Sequence, residues 1–111
     1  MKTSRNQNYI VISDTRDDIL KFSQHLERIV PLKYEVDNLV IDLLKYKNLK
    51  SEELLMFLKI SNYHRSTKHS FVIVNNAIHI DDIIDEMIVV PTLEEAGDIV
   101  EMEYIERDLG F

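Results

Sequence analysis

Residues 38–65 read NLVIDLLKYKNLKSEELLMFLKISNYHR. The stretch opens with an apolar run, Leu39 to Leu43, closed by Asp42. Such a run suits a central parallel strand covered on both faces. A polar loop follows, and then a helix beginning near Ser51. Ser51 is placed to act as N-cap, its hydroxyl accepting a bond from an orphan N–H of the first turn. Glu52 and Glu53 put negative charge where the helix dipole favours it. Leu54, Leu55, Phe57 and Leu58 make a wide apolar face that carries the helix to about Arg65. In open α/β folds, a loop at the C-terminal end of a central strand that leads into a helix is the usual place for function.

On either side of this stretch the pattern repeats. Residues 1–8 are polar and are expected to fray as a flexible N-terminus, leaving 9–111 as a single domain. Tyr9 to Ser13, YIVIS, reads as a strand. Asp14 or Thr15 caps a helix over about Asp17 to Ile29, whose residues Ile19, Phe22, Leu26 and Ile29 recur at helical spacing. Pro31 ends it. After the central unit, Ser70 to Asn75, SFVIVN, is a further buried strand. Ile80, Ile83 and Ile84 lie on one side of a brief helix or turn, and Met87 to Val90 is the fourth strand. Pro91 stops that strand, and Thr92 with Glu95 forms a capping box for a last helix over Leu93 to Arg107. Its buried stripe is expected to be Leu93, Ala96, Gly97, Val100 and Tyr104. Gly97 on that stripe allows close approach to the sheet. Alternating strands and helices imply right-handed crossovers and an α/β fold, a four-stranded, mostly parallel sheet flanked by about four helices.

Composition narrows the function classes. Among 111 residues, 13 Lys and Arg stand against 20 Asp and Glu, a net charge of −7. Nucleic-acid affinity comes mainly from cations neutralising phosphates, and anionic membranes attract the same cations, so neither partner is expected. No apolar run approaches the roughly 20 residues of a membrane helix. The polar start lacks the apolar core of a signal peptide, and a cytoplasmic protein is expected. Without cysteine there is no disulfide frame, thiol nucleophile or thiolate metal site. His79, Asp81 and Asp82 are metal-ligand types, with His64 and His69 the other histidines considered, but a solvated acidic turn accounts better for HIDD; no metal and no cofactor are expected. Two glycines cannot build a phosphate cradle or a dinucleotide fingerprint. No nucleophile elbow marks a hydrolase. Asp42 stands where an aspartyl-phosphate receiver keeps its acceptor, yet Val90-Pro91-Thr92 offers no receiver lysine, so Asp42 is read as bonding loop N–H groups.

The succession NLVIDL, NLKSEELLMFL, SFVIVN and IDDIIDEMIVVPTLEEA, over about residues 36–107, resembles the STAS domain, the fold of bacterial anti-sigma-factor antagonists. The resemblance implies a non-enzymatic regulatory domain that binds a protein partner, an anti-sigma-factor or kinase-like protein. It also implies a phosphorylated serine at the strand–loop–helix junction. The family's Asp-Ser-Ser-Gly loop falls on Lys50, Ser51, Glu52 and Glu53, so the acceptor serine is replaced by Glu52 and the glycine by Glu53. Three readings stay open: Ser51 is phosphorylated, Glu52 stands in permanently for phosphate, or the loop no longer switches and binds constitutively. The third is favoured, then the second. The partner surface is expected to comprise Lys50, Ser51, Glu52, Glu53 and Leu54, with Asn75, Asn76 and His79 from the neighbouring loop.

Outside that surface, the last helix and tail carry Glu94, Glu95, Asp98, Glu101, Glu103, Glu106 and Asp108 against Arg107 alone. A solvated face explains most of this, and a basic partner meeting Ile99 and Met102 is the sharper alternative. A homodimer, and a role for Leu109 to Phe111, are left open. The competing functional class is a small enzyme or ligand-binding subunit whose site is assembled across an oligomer.

Overall fold

A computed structural model describes residues 1–110. Five strands form one sheet in chain order: β1 (Lys2–Arg5), β2 (Ile10–Ser13), β3 (Leu39–Asp42), β4 (Phe71–Val74) and β5 (Ile88–Val90). β1 pairs antiparallel to β2, and the three later pairings are parallel. Between and after them come α1 (Ile19–Lys33), α2 (Ser51–Leu55), α3 (Leu58–Ser66), a 3₁₀ turn (Ile80–Asp82) and α4 (Leu93–Asp108). The α/β class and the mostly parallel sheet agree with the expectation from sequence.

Each parallel crossover steps one strand further in the same direction. Crossovers of this kind are right-handed, so their helices all land on one face. Alternation along the strands then divides the core. Ile10, Ile12, Leu39, Ile41, Phe71 and Ile73 meet Phe22, Leu26 and Val30 of α1, together with Leu54, Phe57 and Ile60. Val40, Val72 and Val74 point the other way and meet Ala96 and Val100 of α4. α4, which follows β5, packs over the face that the crossovers leave bare. One helix thus covers a surface that two or three cover opposite. Val11, Ile88 and Val90 remain only half-buried there.

Several local expectations are corrected. Lys2 to Arg5 is an ordered edge strand, not a frayed end, and the fifth strand of the sheet. The turn between β1 and β2 is closed by Asn6 N–H donating to the Tyr9 carbonyl at 2.8 Å. A pairing strand needs no apolar side chains when both its faces are solvated, which is why a fully exposed KTSR escaped the hydrophobic pattern. α1 is capped by Asp18, whose carboxylate accepts from Lys21 N–H at 3.0 Å. The helix runs through Pro31 to Lys33. In the last turn the ring forfeits only the one bond its own N–H would have made, and Tyr34 N–H still reaches the Val30 carbonyl at 3.0 Å.

The single helix expected over 51–65 is two. At the junction Met56 N–H bonds to the Glu53 carbonyl and Phe57 N–H to the Leu54 carbonyl, a tighter i to i+3 pattern. The turn seats Phe57 edge-on to Phe22, ring centroids 6.1 Å apart. In α4, Thr92 caps as expected, its Oγ1 accepting from Glu95 N–H at 3.1 Å. The buried stripe is narrower than expected: Ala96 and Val100 are buried, whereas Leu93 and Tyr104 are exposed. Glu103 and Arg107 are not part of a solvated acidic face. Ser70 Oγ donates to Glu103 Oε1 at 2.6 Å, and Arg107 Nη2 donates to Asn38 Oδ1 at 3.1 Å. Asn38 Oδ1 also accepts from Ser70 N–H at 2.8 Å. The C-terminal half of α4 is therefore docked by a polar network at the N-terminal ends of β3 and β4.

Candidate functional site

The loops after β2, β3 and β4 gather at the C-terminal edge of the sheet, and side chains join them. Asn75 follows β4 and is only 3% exposed. Its Nδ2 donates to the carbonyls of Leu43 (2.9 Å) and Tyr46 (3.0 Å) in the β3 loop. Its Oδ1 accepts from Ala77 N–H (2.9 Å) and Ile78 N–H (3.0 Å) in its own loop. All four hydrogen-bonding positions lie within the protein, so Asn75 fixes the two loops relative to one another.

The β3 loop is tied in turn to the β2 loop. Tyr46 Oη donates to Asp14 Oδ2 at 2.5 Å. Burial, reinforced by the Asp14 carboxylate, pushes the Tyr46 hydroxyl above its ordinary value, so it remains a donor even in alkaline solution. Lys45 Nζ donates to the Arg16 carbonyl at 2.8 Å and lies 3.0 Å from Asp17 Oδ1. Asp42 Oδ1 accepts from Leu44 N–H at 2.9 Å, the loop-bonding role read from sequence. The three loops therefore form one braced rim. Asp14, Lys45 and Tyr46, which do most of the bracing, were not among the residues expected from sequence. A lone tyrosine in a polar loop carries no pattern to mark it, because its partner is 32 positions away.

The expected site residues fall into three groups. Leu54 (1% exposed) and Asn75 are buried; they shape the surface and do not contact a partner. Glu53 is half-buried, and its Oε1 accepts from Lys50 N–H at 3.0 Å. This bond caps α2, so Ser51 is not the side-chain cap; it is the half-buried first residue of the helix, with Lys50 before it. The correction has a simple cause: the reciprocal Glu53 contact closes the turn one residue earlier. Lys50, Glu52, Asn76 and His79 are exposed and remain available for contact. His79 ends its loop by accepting Asp81 N–H on Nδ1 at 3.2 Å.

Of the histidines considered together in the sequence, His64 and His69 are neighbours, ring centroids 5.8 Å apart, but His79 does not join them. His64 is buried on α3 beside Asp37, before β3, whereas His79 lies beyond the opposite ends of the strands. Among the described residues, no three His, Asp or Glu side chains converge as a metal-ligand set. No helix among them is long and apolar enough to cross a membrane. The sequential strand order also lacks the reversal point at which doubly wound sheets bind ligands. Against known families and curated proteins, the chain matches no family model and no curated sequence.

Proposed function

We propose that the chain is a non-enzymatic, STAS-like regulatory domain that binds a protein partner in the cytoplasm. The contact surface is the braced rim at the C-terminal ends of β3 and β4, presented through Lys50, Glu52, Asn76 and His79. The carrying observation is the Asn75 bridge, which holds two loops in one geometry before any partner arrives. Loops ordered in advance lose less entropy on association. The succession of strand, loop, Leu-rich helix, strand, short turn, strand and Glu-rich helix supports the family resemblance. Binding is constitutive: Ser51 lies beside the carboxylates of Glu52 and Glu53, which would repel a phosphate.

The test is affinity capture from the source cells with wild type and Glu52→Lys as baits, bound proteins being identified by mass spectrometry. Glu52 is exposed and makes no ion pair among the described residues, so its reversal leaves the fold intact, at a cost of about 1 kcal/mol from the dipole of α2. Capture of a defined protein by wild type and at least tenfold weaker capture by Glu52→Lys are expected. Equal capture by both baits would place the interaction elsewhere and overturn the proposal.

A further inference from the structure

α4 has two apolar faces. Ala96 and Val100 lie on the sheet, and Ala96 is buried completely. On the opposite side of the helix stand Met102, Ile105 and Leu109, spaced i, i+3 and i+7, and 55%, 57% and 66% exposed. Residues at this spacing form one stripe. Asp98, Glu101 and Glu106 flank it, all exposed and, among the described residues, without an ion pair. An apolar stripe within an acidic margin fits a groove of apolar floor and basic rim.

The same molecule has such a groove on its other face. It lies between α1 and α3 and has a volume of about 910 Å³. Tyr63, 40% exposed, gives its walls open apolar surface above the nearly buried Phe22 and Ile60, and Arg16, Lys21, Arg28 and Lys59 supply its positive charge. Four of the chain's 13 basic residues thus collect in one groove of a protein with net charge −7. Asp14, Asp18 and Glu27 also line it, so its four cations face three carboxylates and leave a net positive charge. Asp14 accepts from Tyr46 and from Arg16 N–H, and Asp18 caps α1. Arg16, Lys21, Arg28 and Lys59 form no ion pair among the described residues.

We infer that this groove receives the outer face of α4 from a second copy of the chain. The groove cannot be filled from within, because α4 lies across the sheet from α1 and α3. Its α1 wall extends from Lys21 to Pro31, about 15 Å of helix, and the stripe from Met102 to Leu109 needs about 10 Å. Cations spread over that length above an apolar floor suit a helix better than a compact anion. A symmetric pairing of α4 with α4 would set carboxylates against carboxylates. Groove and helix are different surfaces, so the contact is head-to-tail and continues to a ring or an open chain. The groove shares Asp14 and Arg16 with the loop rim, but the inference does not rest on the partner proposed for that rim.

The test uses the full chain in sedimentation velocity and light scattering over a concentration series. Wild type is expected to rise in mass-average mass with concentration and to fall back as salt screens the charges. Two double variants, Arg28→Glu/Lys59→Glu in the groove and Met102→Ser/Ile105→Ser on the helix, are each expected to stay monomeric. Both retain wild-type circular dichroism, since every altered side chain is exposed. Mixed one to one, they are expected to form a heterodimer and stop there, because one supplies only a helix and the other only a groove. Monomeric wild type throughout, undiminished self-association of the groove variant, or failure of the mixture to pair would each overturn the inference.

Discussion

His64 shows at the scale of one residue how burial fixes a charge state. Its ring is fully buried, with Nε2 2.6 Å from the Asp37 carbonyl. A carbonyl only accepts, so Nε2 carries the proton and Nδ1 is bare; Nδ1 has no partner among the described residues. Burial lowers the imidazole's affinity for a second proton, opposed in part by the Asp37 bond, and the neighbouring His69 ring lowers it further. The unfolded chain has no such restraint and titrates near pH 6.5. Below that pH the unfolded state binds a proton that the native ring refuses, so stability falls as pH falls. The slope from one such proton is at most about 1.4 kcal/mol per pH unit. His64→Gln keeps a donor for Asp37 and does not titrate. Urea unfolding between pH 7 and 5 is expected to show a flatter loss of stability in this variant than in wild type; parallel curves would show that His64 does not contribute. Roles of this kind are poorly legible in sequence. A histidine weighed in the sequence only as a metal-ligand type gives no sign of burial, and the carbonyl that orients it belongs to a segment 27 positions earlier. Tyr46 and the bridge from Asn75 to the β3 loop were obscure for the same reason, whereas Thr92 and Asp42 were legible because their partners lie within three residues.

Among the elements, α4 illustrates what spacing conveys and what it leaves out. Its start was legible from Thr92 and Glu95, but an apolar residue at every third or fourth position does not say which of two faces is buried. Gly97 was expected to permit close approach, and the approaching group is Tyr9: a Cβ at 97 would stand 2.7 Å from its Oη and 3.4 Å from its Cζ. Glycine costs a helix interior about 1 kcal/mol relative to alanine. Gly97→Ala is therefore expected to gain little in wild type, since the tyrosine hydroxyl must shift. In a Tyr9→Phe background the same change is expected to gain about 1 kcal/mol. A thermodynamic cycle from denaturant unfolding measures the difference, and equal effects in both backgrounds would mean that no contact couples the two sites. The division of α2 from α3 was illegible for a different reason. Leu54, Phe57 and Ile60 keep helical spacing across the turn, so the hydrophobic pattern does not register the tightening at Met56.

On the scale of the whole molecule, class and strand direction were read from alternation alone, but the fifth strand was not. β1 contributes backbone pairing and charge where the sheet meets solvent. Lys2 and Arg5 guard that edge, and β5, three residues long and followed by Pro91, guards the other. Both are recognised ways of blunting an edge against foreign strands. Deleting residues 1–6 would make β2, with its buried Ile10 and Ile12, the new edge. A lower urea midpoint and rising light scattering are expected; an unchanged midpoint in clear solution would show that β1 is dispensable. The one-way winding of the sheet bears also on how the chain acquires its structure. Every strand pairs with its predecessor in sequence, and none must wait for a segment synthesised later. During translation each new β–α unit meets an edge already in place, and the loop it must close is never longer than a single crossover, a topology that favours rapid, vectorial assembly over a search among distant pairings.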